Sequence, residues 1–359
     1  MKTSLSSLEL HTLVNEWQFL VGSKVDNIYH TAKKDFLFVF FAPSKGKFFL
    51  KLALPSAMFL TAAKEEAGEP SSFCMFLRKH LAGAIVKEIA QVNSERIIKL
   101  KFQKEKETGL IIELFSKGNL ILTDKDGIIV NCLERQKWST REIKTGVKYT
   151  LPPESFDYLH SLSGLSEKLK ATKKESLASF LATEIGLGGI YAEEICSLAE
   201  IEKSIKPKEV SDKKCIEISM WIRVLVKNTA SSRGLIYGNE AAPFALELFK
   251  GKEKKELKSF NEAVALVFSG SFSSEKEKRQ KQKLESLQHI LLEQETKKEQ
   301  LENEAKECKR QGEDIYERYQ EIKVFLERVK TAKKEELEEL KKKGKIKEVD
   351  FKEKKIVLN

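Results

Sequence analysis

The sequence has few of the side chains that bind metals or act as nucleophiles. Its five cysteines and five histidines are scattered, and no Cys-x-x-Cys pair occurs. The histidines have no metal-ligand spacing to one another or to a cysteine. This pattern argues against a disulfide framework, a zinc site and nucleophilic catalysis by a Cys–His or Ser–His–Asp group. We therefore expect reduced thiols in a cytoplasmic protein, with no metal and no other cofactor.

Long apolar runs are also missing. Residues 1–17 contain no apolar stretch of the length that a signal peptide needs, because Glu9 interrupts them. No other run approaches the roughly 20 apolar residues of a transmembrane helix. The sequence thus predicts no signal peptide, no membrane span and no membrane partner.

Charge, by contrast, is abundant. Lys and Arg number 64 against 54 for Asp and Glu, so a third of the 359 residues are charged and the net charge is +10. Such an excess favours a polyanionic partner: nucleic acid, the ribosome or an anionic membrane surface. The length suffices for two modest domains and an extension.

The most informative stretch is 70–102, which begins with a predicted helix. Ser71 and Ser72 are good N-cap residues, and apolar residues then recur at helical spacing for about three turns. Arg78 and Lys79 fall on or near the opposite face of this helix. The helix therefore combines an apolar face with a basic one.

A turn containing Glu95 and Arg96 follows, and 97–102 then predicts a strand. A surface ion pair in a solvated loop is one interpretation of this acid and base. Their position between a basic helix and a basic strand favours a functional one. Glu9 has a similar ambiguity, since it lies in the first turn of a predicted helix at 7–21, where the helix dipole favours a carboxylate.

Short alternating segments predict a β-rich module around this stretch. We place its other strands at 26–30, 35–41, 47–52, 109–115, 119–123 and 128–133. A turn at Pro43, Ser44, Lys45 and Gly46 joins two of them as a hairpin.

A basic loop with one aromatic side chain follows the strands. Its members are Arg135, Lys137, Trp138, Arg141, Lys144 and Lys148. A loop of this kind can hold a phosphate backbone and stack a base, and a solvated connector is the alternative.

Residues 159–227 are predicted to be helical and contain a glycine-rich turn. Gly186, Gly188 and Gly189 have the spacing of a helix-hairpin-helix, whose backbone N–H groups form a sequence-independent phosphate site at a helix N-terminus. A tight interhelical turn without a ligand is the alternative. A short β segment is predicted at 236–249 and a helix at 260–268.

From 274 to 332 the sequence predicts a long helix with a heptad seam running from Leu284 to Val329. The seam is weak at Gln294, Lys298 and Gly312, so we expect it to need a second helix. The final residues, 354–359, predict a strand.

Several of these segments resemble the NFACT family of ribosome quality-control proteins related to NEMF, in its archaeal type. The matching segments are 6–10, 73–81 with Glu95 and Arg96, 117–122, 149–153 and 186–194. The family has aspartate where this sequence has Glu9 and Glu95.

The resemblance implies an α+β fold. Its parts are a β-rich N-terminal domain similar to formamidopyrimidine-type DNA glycosylases, a helix-hairpin-helix domain and a long coiled-coil arm. For this chain it implies domains at 1–158, 159–233, 234–272 and 273–345, and the start of a further segment at 346–359. The returning helix and the C-terminal RNA-binding domain of the family are expected in a missing half or a separate chain.

The resemblance also implies a function. The chain would bind tRNA, with alanyl-tRNA expected, and a large ribosomal subunit that carries an obstructed nascent chain, and it would support message-independent alanine tailing. Peptide-bond chemistry would belong to the ribosome, so the chain itself would not be an enzyme. The expected tRNA-binding residues are Glu9, Glu95, Arg96, Arg78, Lys79 and Arg141, and the expected phosphate-binding hairpin is Gly186, Gly188 and Gly189.

Three alternatives remain. A DNA-glycosylase-like enzyme would need the N-terminal proline and glutamate of that class, and Lys2 and Thr3 stand there instead. An adhesin would need a signal or an anchor. A coiled-coil scaffold with incidental basic charge is the third.

Overall fold

The computed structural model describes residues 2–43, 45–62, 68–153, 156–231, 233–344, 346–350 and 355–358. Side chains are described for all of these except 270–285, 334, 349–350 and 358. Ser44, Lys354 and Asn359, and the side chain of Leu284, on which some of the predictions rest, therefore lie outside the described part. The chain divides into two compact units, Met1–Ser274 and Glu275–Asn359.

The first unit is built on a nine-stranded antiparallel sheet. Its strands are β1 (Lys24–Ala32), β2 (Asp35–Ala42), β3 (Gly46–Ala53), β4 (Ala57–Thr61), β5 (Ile85–Gln91), β6 (Ile97–Gln103), β7 (Glu107–Glu113), β8 (Asn119–Asp124) and β9 (Ile129–Cys132). Their spatial order is β4-β3-β2-β1-β5-β6-β7-β8-β9. The two halves of the sheet meet where Lys24 of β1 pairs with Ile85 of β5. A separate hairpin, β10 (Gln136–Lys137) and β11 (Glu142–Ile143), follows the sheet.

Two helices cover the sheet. Helix α1 (Ser7–Glu16) continues as a 3-10 turn at Trp17–Leu20, and helix α2 (Ser72–Leu81) begins at the N-cap residue Ser71. Their apolar faces share one core with the inner strands, as expected for helices that bury a single stripe. The sheet and its helices thereby hold the N-terminal segment in place.

A helical region forms a second core in the same unit. It contains α3 (Leu165–Ala171), α4 (Leu177–Thr183), α5 (Gly189–Leu198) and α6 (Asp212–Asn228), followed by a small sheet of β12 (Gly234–Tyr237), β13 (Glu240–Ala242) and β14 (Lys255–Leu257). Leu8 of α1 and Tyr158 also belong to this core. The N-terminal helix therefore packs into both cores.

Helix α7 (Phe260–Glu317) starts in the first unit and continues into the second. The second unit also contains α8 (Tyr319–Thr331), α9 (Lys334–Lys342) and the hairpin β15 (Ile346–Asp350) and β16 (Lys355–Leu358). A small core around Val329, Leu337, Leu340 and Ile346 joins them.

The mixed helix-and-sheet class predicted from the sequence is confirmed, with several differences in detail. The first helix ends at Glu16, because the chain tightens into the 3-10 turn, and Val21 is exposed. Strand β5 was not predicted, because a bulge at 86–88 breaks the alternation of apolar and polar residues. Strand β4 was not predicted either, because it is a short apolar run without alternation. The long helix is interrupted at Arg318. The predicted domain boundaries stay predictions.

Candidate nucleic-acid interface

Glu9 caps helix α1 and is buried. The Ser6 backbone N–H donates to Glu9 Oε2 at 2.8 Å, and the Glu9 N–H donates to Ser6 Oγ at 3.3 Å, which together form a capping box. The predicted helix-start role is therefore confirmed. The side chain does more than cap, however, because its second oxygen faces two other partners.

Those partners are Lys2 and Tyr191. Lys2 Nζ lies 2.6 Å from Glu9 Oε1, and the Tyr191 hydroxyl donates to the same oxygen at 3.0 Å. The side chains of Lys2 and Glu9 are only 4% and 2% exposed. Lys2 also donates to the Ala241 carbonyl at 3.1 Å and lies 3.6 Å from Glu240. Burial, followed by the charge of Glu9, raises the pKa of Tyr191, so this hydroxyl is a permanent donor.

The neighbouring residue Ser7 ties the same helix to the glycine turn. Its Oγ donates to the Gly186 carbonyl at 2.9 Å and lies 2.5 Å from the Tyr158 hydroxyl. Burial raises the pKa of Tyr158 as well. Helix α1 is thus fixed to α5 through Glu9 and to the turn before it through Ser7.

The turn between β5 and β6 is held from several sides. Ser94 Oγ donates to Asp157 at 2.8 Å, and Gln91 Nε2 donates to the Glu95 carbonyl at 2.9 Å. Arg96 Nη1 donates to the Leu5 carbonyl at 3.1 Å. Burial lowers the pKa of Arg96, while the charges of Glu95 and Glu9 raise it. The guanidinium keeps its charge, since the ordinary pKa of arginine lies far above neutrality.

The glycine turn joins α4 to α5. Gly186 and Gly188 have φ values of +87° and +84°, which L side chains rarely adopt. The N–H groups of Leu187 and Gly188 donate to α4 carbonyls at 3.2 and 3.1 Å, so they close α4 and do not point to a ligand. The donors at this turn are therefore the first N–H groups of α5, beginning at Gly189.

These segments meet around a cavity of about 450 Å³. Six residues predicted from the sequence line it: Glu9, Glu95, Arg96, Gly186, Gly188 and Gly189. The charged side chains in its wall also include Lys2 and Glu240. Since two cations face three carboxylates, the wall is not a uniformly positive surface. It offers an arginine and a helix N-terminus for a phosphate, and carboxylates for hydrogen-bond donors.

The other three predicted residues lie elsewhere. Arg78 Nε donates to the Ile28 carbonyl at 2.5 Å, and its guanidinium lies 5.3 Å from the ring centre of Tyr29. Lys79 is exposed in the last turn of α2. Neither lines the cavity.

Arg141 requires a correction. Its side chain is 4% exposed and forms a two-pronged ion pair with Glu113, at 2.7 and 3.2 Å. The Tyr149 hydroxyl donates to the same carboxylate at 2.9 Å. A guanidinium buried in this way is part of the fold, so the interpretation of Arg141 as a direct tRNA contact is not carried forward.

Sequence reasoning missed the roles of Lys2, Tyr158 and Tyr191. Tyr191 and Glu9 are 182 residues apart, and no local pattern links them. The position of Tyr191 in the glycine-containing segment 186–194 was the one feature of the sequence that pointed to it.

A sequence model of the NFACT N-terminal and middle domains matches residues 6–357. The chain belongs to the NFACT family. This NFACT chain is 27% identical over 356 residues to the Archaeal Rqc2 homolog aRqcH of Methanocaldococcus jannaschii. The match covers 93% of the chain and 53% of that relative. It is 24% identical over 287 residues to the Ribosome quality control complex subunit NEMF of Mus musculus. That match covers 75% of the chain and 26% of the relative. The chain thus spans about half the length of the first relative and about a quarter of the second.

Among solved structures, this NFACT chain is similar to the N-terminal part of the fibronectin/fibrinogen-binding protein from Streptococcus suis. The TM-score is 0.59 at 21% identity, and the match covers 74% of the chain and 100% of that structure. At this identity the likeness concerns the fold alone. Within the described residues, no helix has the length and apolar character to cross a bilayer, and no group of three or more His, Cys, Asp or Glu is placed to hold a metal ion.

Proposed function

We propose that this NFACT chain is the N-terminal half of a ribosome quality-control factor that binds tRNA and the large ribosomal subunit. The relatives that it matches are named as an Rqc2 homolog and as a subunit of the ribosome quality control complex. In this proposal the factor acts where a stalled nascent chain obstructs the large subunit. There it supports the message-independent addition of alanine from alanyl-tRNA.

The observation that carries the proposal is the meeting of sequence-distant residues at one cavity. Glu9, Glu95, Arg96 and the glycine turn come from three separate parts of the chain, and all line the same wall. Each of them also lies in a segment whose sequence pattern predicts a functional role. A set of unrelated surface residues would not be expected to converge in this way.

The geometry suggests how tRNA would be held. Arg96 can fork onto a phosphate or a guanine edge, and the first N–H groups of α5 can accept a second phosphate. Glu95 lies in the wall with its carboxylate available to accept hydrogen bonds from an exocyclic amine. Glu9 is a positioning residue in this account, since Lys2, Tyr191 and Ser6 already occupy its oxygens.

The interpretation of α4, the glycine turn and α5 as a helix-hairpin-helix is part of the proposal. Two short helices joined by two left-handed glycines support it. The coiled-coil interpretation of α7 is also proposed. The apolar side chains of Leu287, Leu291 and Leu301 are each more than half exposed, as expected of a helix that packs against a second helix.

We further propose that the chain performs no bond chemistry of its own and that the ribosome forms the peptide bonds. The factor would supply positioning, which by itself lowers a barrier substantially. The glycosylase-like alternative is not favoured, because Lys2 and Thr3 stand where that class has its N-terminal proline and glutamate. The Lys2 side chain is instead held in the fold by Glu9 and the Ala241 carbonyl.

Gly189 offers the sharpest test at the cavity. A Cβ at Gly189 meets nothing within 4 Å, and its φ is not positive, so Gly189→Val fits the fold. The added side chain would stand beside the first N–H groups of α5. We expect weaker binding to all tRNAs, an unchanged melting temperature, and a shallower salt dependence, since each phosphate contact contributes about 0.7–0.9 to the slope of log K against log salt.

The matched control is Gly312→Val, which also has open space around the new Cβ and lies in α7, outside the set of residues that line the cavity. It should bind tRNA as the parent does. Binding by the parent that ignores salt, or equal binding by Gly189→Val, would contradict the proposal.

A further inference from the structure

The hairpin of β10 and β11 presents an exposed tryptophan at its tip. The backbone N–H of Trp138 donates to the backbone carbonyl of Arg141 at 2.9 Å, so these two residues are the ends of a tight four-residue turn. The Trp138 residue is 37% exposed. Of the three tryptophans, Trp17 is buried and Trp221 is half-buried. An exposed aromatic of this size on a polar loop needs a reason.

A buried network fixes the Trp138 ring. The Arg141 guanidinium lies 4.5 Å from the ring centre, within the distance of a cation–π contact. Arg141 is itself held by Glu113, whose carboxylate also accepts from the Tyr149 hydroxyl. The ring is therefore supported from below by charged groups that cannot move without breaking a buried ion pair. Its exposed part is a preformed surface.

Four exposed cations lie within ten residues of Trp138 in the sequence: Arg135, Lys137, Lys144 and Lys148. In the described part of the chain, none of them has a carboxylate within ion-pair distance. The nearby Glu134 is paired with Lys34 at 2.7 Å, and Glu142 stands opposite Lys137 in the hairpin register without an ion pair. Some other surface lysines do pair, as Lys47 does with Asp26. The segment 135–148 thus carries four cations for which the described residues provide no ion pair.

A solvated connector would explain the cations but not the fixed aromatic. A tryptophan that only filled the core would be buried, as Trp17 is. A flat aromatic surface beside free cations matches the two parts of an unstacked nucleotide, because the base stacks on the ring and the phosphates meet the cations.

We propose that the surface of segment 135–148 that carries Trp138, Lys137, Lys144 and Lys148 binds an unpaired nucleotide of RNA. The base stacks on the exposed part of Trp138, and the lysines contact the flanking phosphates. Arg141 acts as a positioning residue that holds the ring. The inference adds a second contact to the RNA partner of the proposed function, and it stands on residues outside the cavity.

The test uses tryptophan fluorescence of the whole chain, titrated with a single-stranded 12-nucleotide RNA of mixed sequence. Stacking on Trp138 should quench the emission of the parent. Trp138→Leu should lose this quenching and bind about 5- to 150-fold more weakly, as expected for the loss of one stacked base. Trp138→Phe should retain most of the affinity, because it keeps an aromatic face. The matched control, Trp221→Phe, should be quenched and should bind as the parent does.

Two further experiments distinguish the contribution of base stacking from that of the lysine charges. Lys144→Gln with Lys148→Gln should weaken binding and reduce its salt dependence while leaving saturating quenching intact. A perfect duplex of the same sequence should bind without quenching, since its bases are already stacked. Equal binding by parent and Trp138→Leu, or quenching that persists in Trp138→Leu, would overturn the proposal.

The outcome is distinguishable from failure of the proposed function. Arg96→Ala removes a cavity residue and should leave the quenching of Trp138 unchanged. Trp138→Leu should leave discrimination between tRNAs at the cavity unchanged. Either contact can therefore fail while the other holds.

Discussion

Glu9 takes part in two structures at once: it caps α1 with one oxygen and accepts from Lys2 and Tyr191 with the other. The pair with Lys2 is almost fully buried. Removing one partner of a buried pair leaves an unneutralised charge in a low-dielectric site, which is costly, whereas removing both leaves no charge. The network therefore fixes the N-terminal segment against the cavity.

Lys2→Met should lower the free energy of unfolding by about 3–5 kcal/mol, because Glu9 is left buried without its cation. The double variant with Glu9→Gln should recover part of that loss. The measurement is urea unfolding of the two single variants and the double variant. Lys47→Met is the control, since its ion pair with Asp26 is exposed and should contribute little. Additive effects of the two changes would show that Lys2 and Glu9 do not act as a pair.

His11 gives a pH dependence with a defined sign. Burial lowers its pKa below the ordinary value of 6.5, while a hydrogen bond with Gln91 partly opposes this and the charge of His160 adds to it. The unfolded chain therefore takes up a proton at a higher pH than the folded chain does. The stability contributed by neutral His11 is present above pH 6.5 and is lost as the pH falls through the lower, folded-state pKa.

We expect His11→Gln to flatten the decline of the melting temperature between about pH 7 and pH 5. The exposed His289 provides the control, because His289→Gln should leave the decline as in the parent. A decline of unchanged steepness in His11→Gln would contradict the assignment.

At the scale of elements, the start of α7 depends on Glu16 at the end of α1. The Glu16 carboxylate accepts from the N–H groups of Phe260 and Asn261 at 2.8 and 2.9 Å. The Asn261 side chain in turn pairs with both backbone groups of Leu60, on the edge strand β4. The first turn of α7 is thus held by α1, and Asn261 satisfies backbone groups on the edge of strand β4 that would otherwise lack a partner in the sheet.

Glu16→Ala should loosen that start by about 0.5–2 kcal/mol, as expected for the loss of a helix cap. Hydrogen exchange at the amides of Phe260 and Asn261 measures it directly, and both should exchange faster. Glu313→Ala, on an exposed face of the same helix, serves as the control and should leave them unchanged. Unchanged exchange in Glu16→Ala would show that the cap contributes nothing.

Local sequence patterns predicted helices and strands correctly where a single feature, such as an N-cap residue or a regular alternation, was strong. Ser71 marks the start of α2 and the alternation at 97–102 marks β6, as the structure has them. Strand β5 escaped because its bulge breaks the period on which strand prediction depends. The conformation of Arg318, which interrupts the long helix, has no signal in the heptad pattern.

The cavity was predictable only in part. Its residues Glu95, Arg96 and Gly186 stood out because each sits in a recognisable local motif. Lys2 did not, because its importance comes from contacts across 239 residues. Composition could not distinguish the buried Arg141 from the exposed cations around it, since burial is set by the sheet and not by the loop sequence.

At the scale of the molecule, α7 leaves an apolar seam uncovered in the second unit. Leu287, Leu291 and Leu301 are exposed along it. If the seam belongs to a coiled coil, a polypeptide that carries the second helix of that coiled coil should cover it.

Adding that polypeptide should slow proteolysis within α7 by covering the seam, while cleavage elsewhere should stay unchanged. Limited proteolysis followed by mass spectrometry measures both in one experiment. A scrambled peptide of the same composition is the control. Full protection of α7 in the isolated chain would contradict the proposed coiled-coil partner.

The most direct test of the central claim is competition between alanine tRNA and a mixed tRNA pool, measured for the parent and for variants of the cavity. Arg96→Ala should cost about 1–3 kcal/mol in cognate binding. Glu95→Gln should reduce discrimination between tRNAs more than it reduces overall affinity, and Glu95→Asp, which keeps the carboxylate, should be tolerated. Arg223→Gln removes an exposed arginine outside the cavity and should change neither. Unchanged binding ratios in all the cavity variants would remove these residues from the tRNA site and contradict the account.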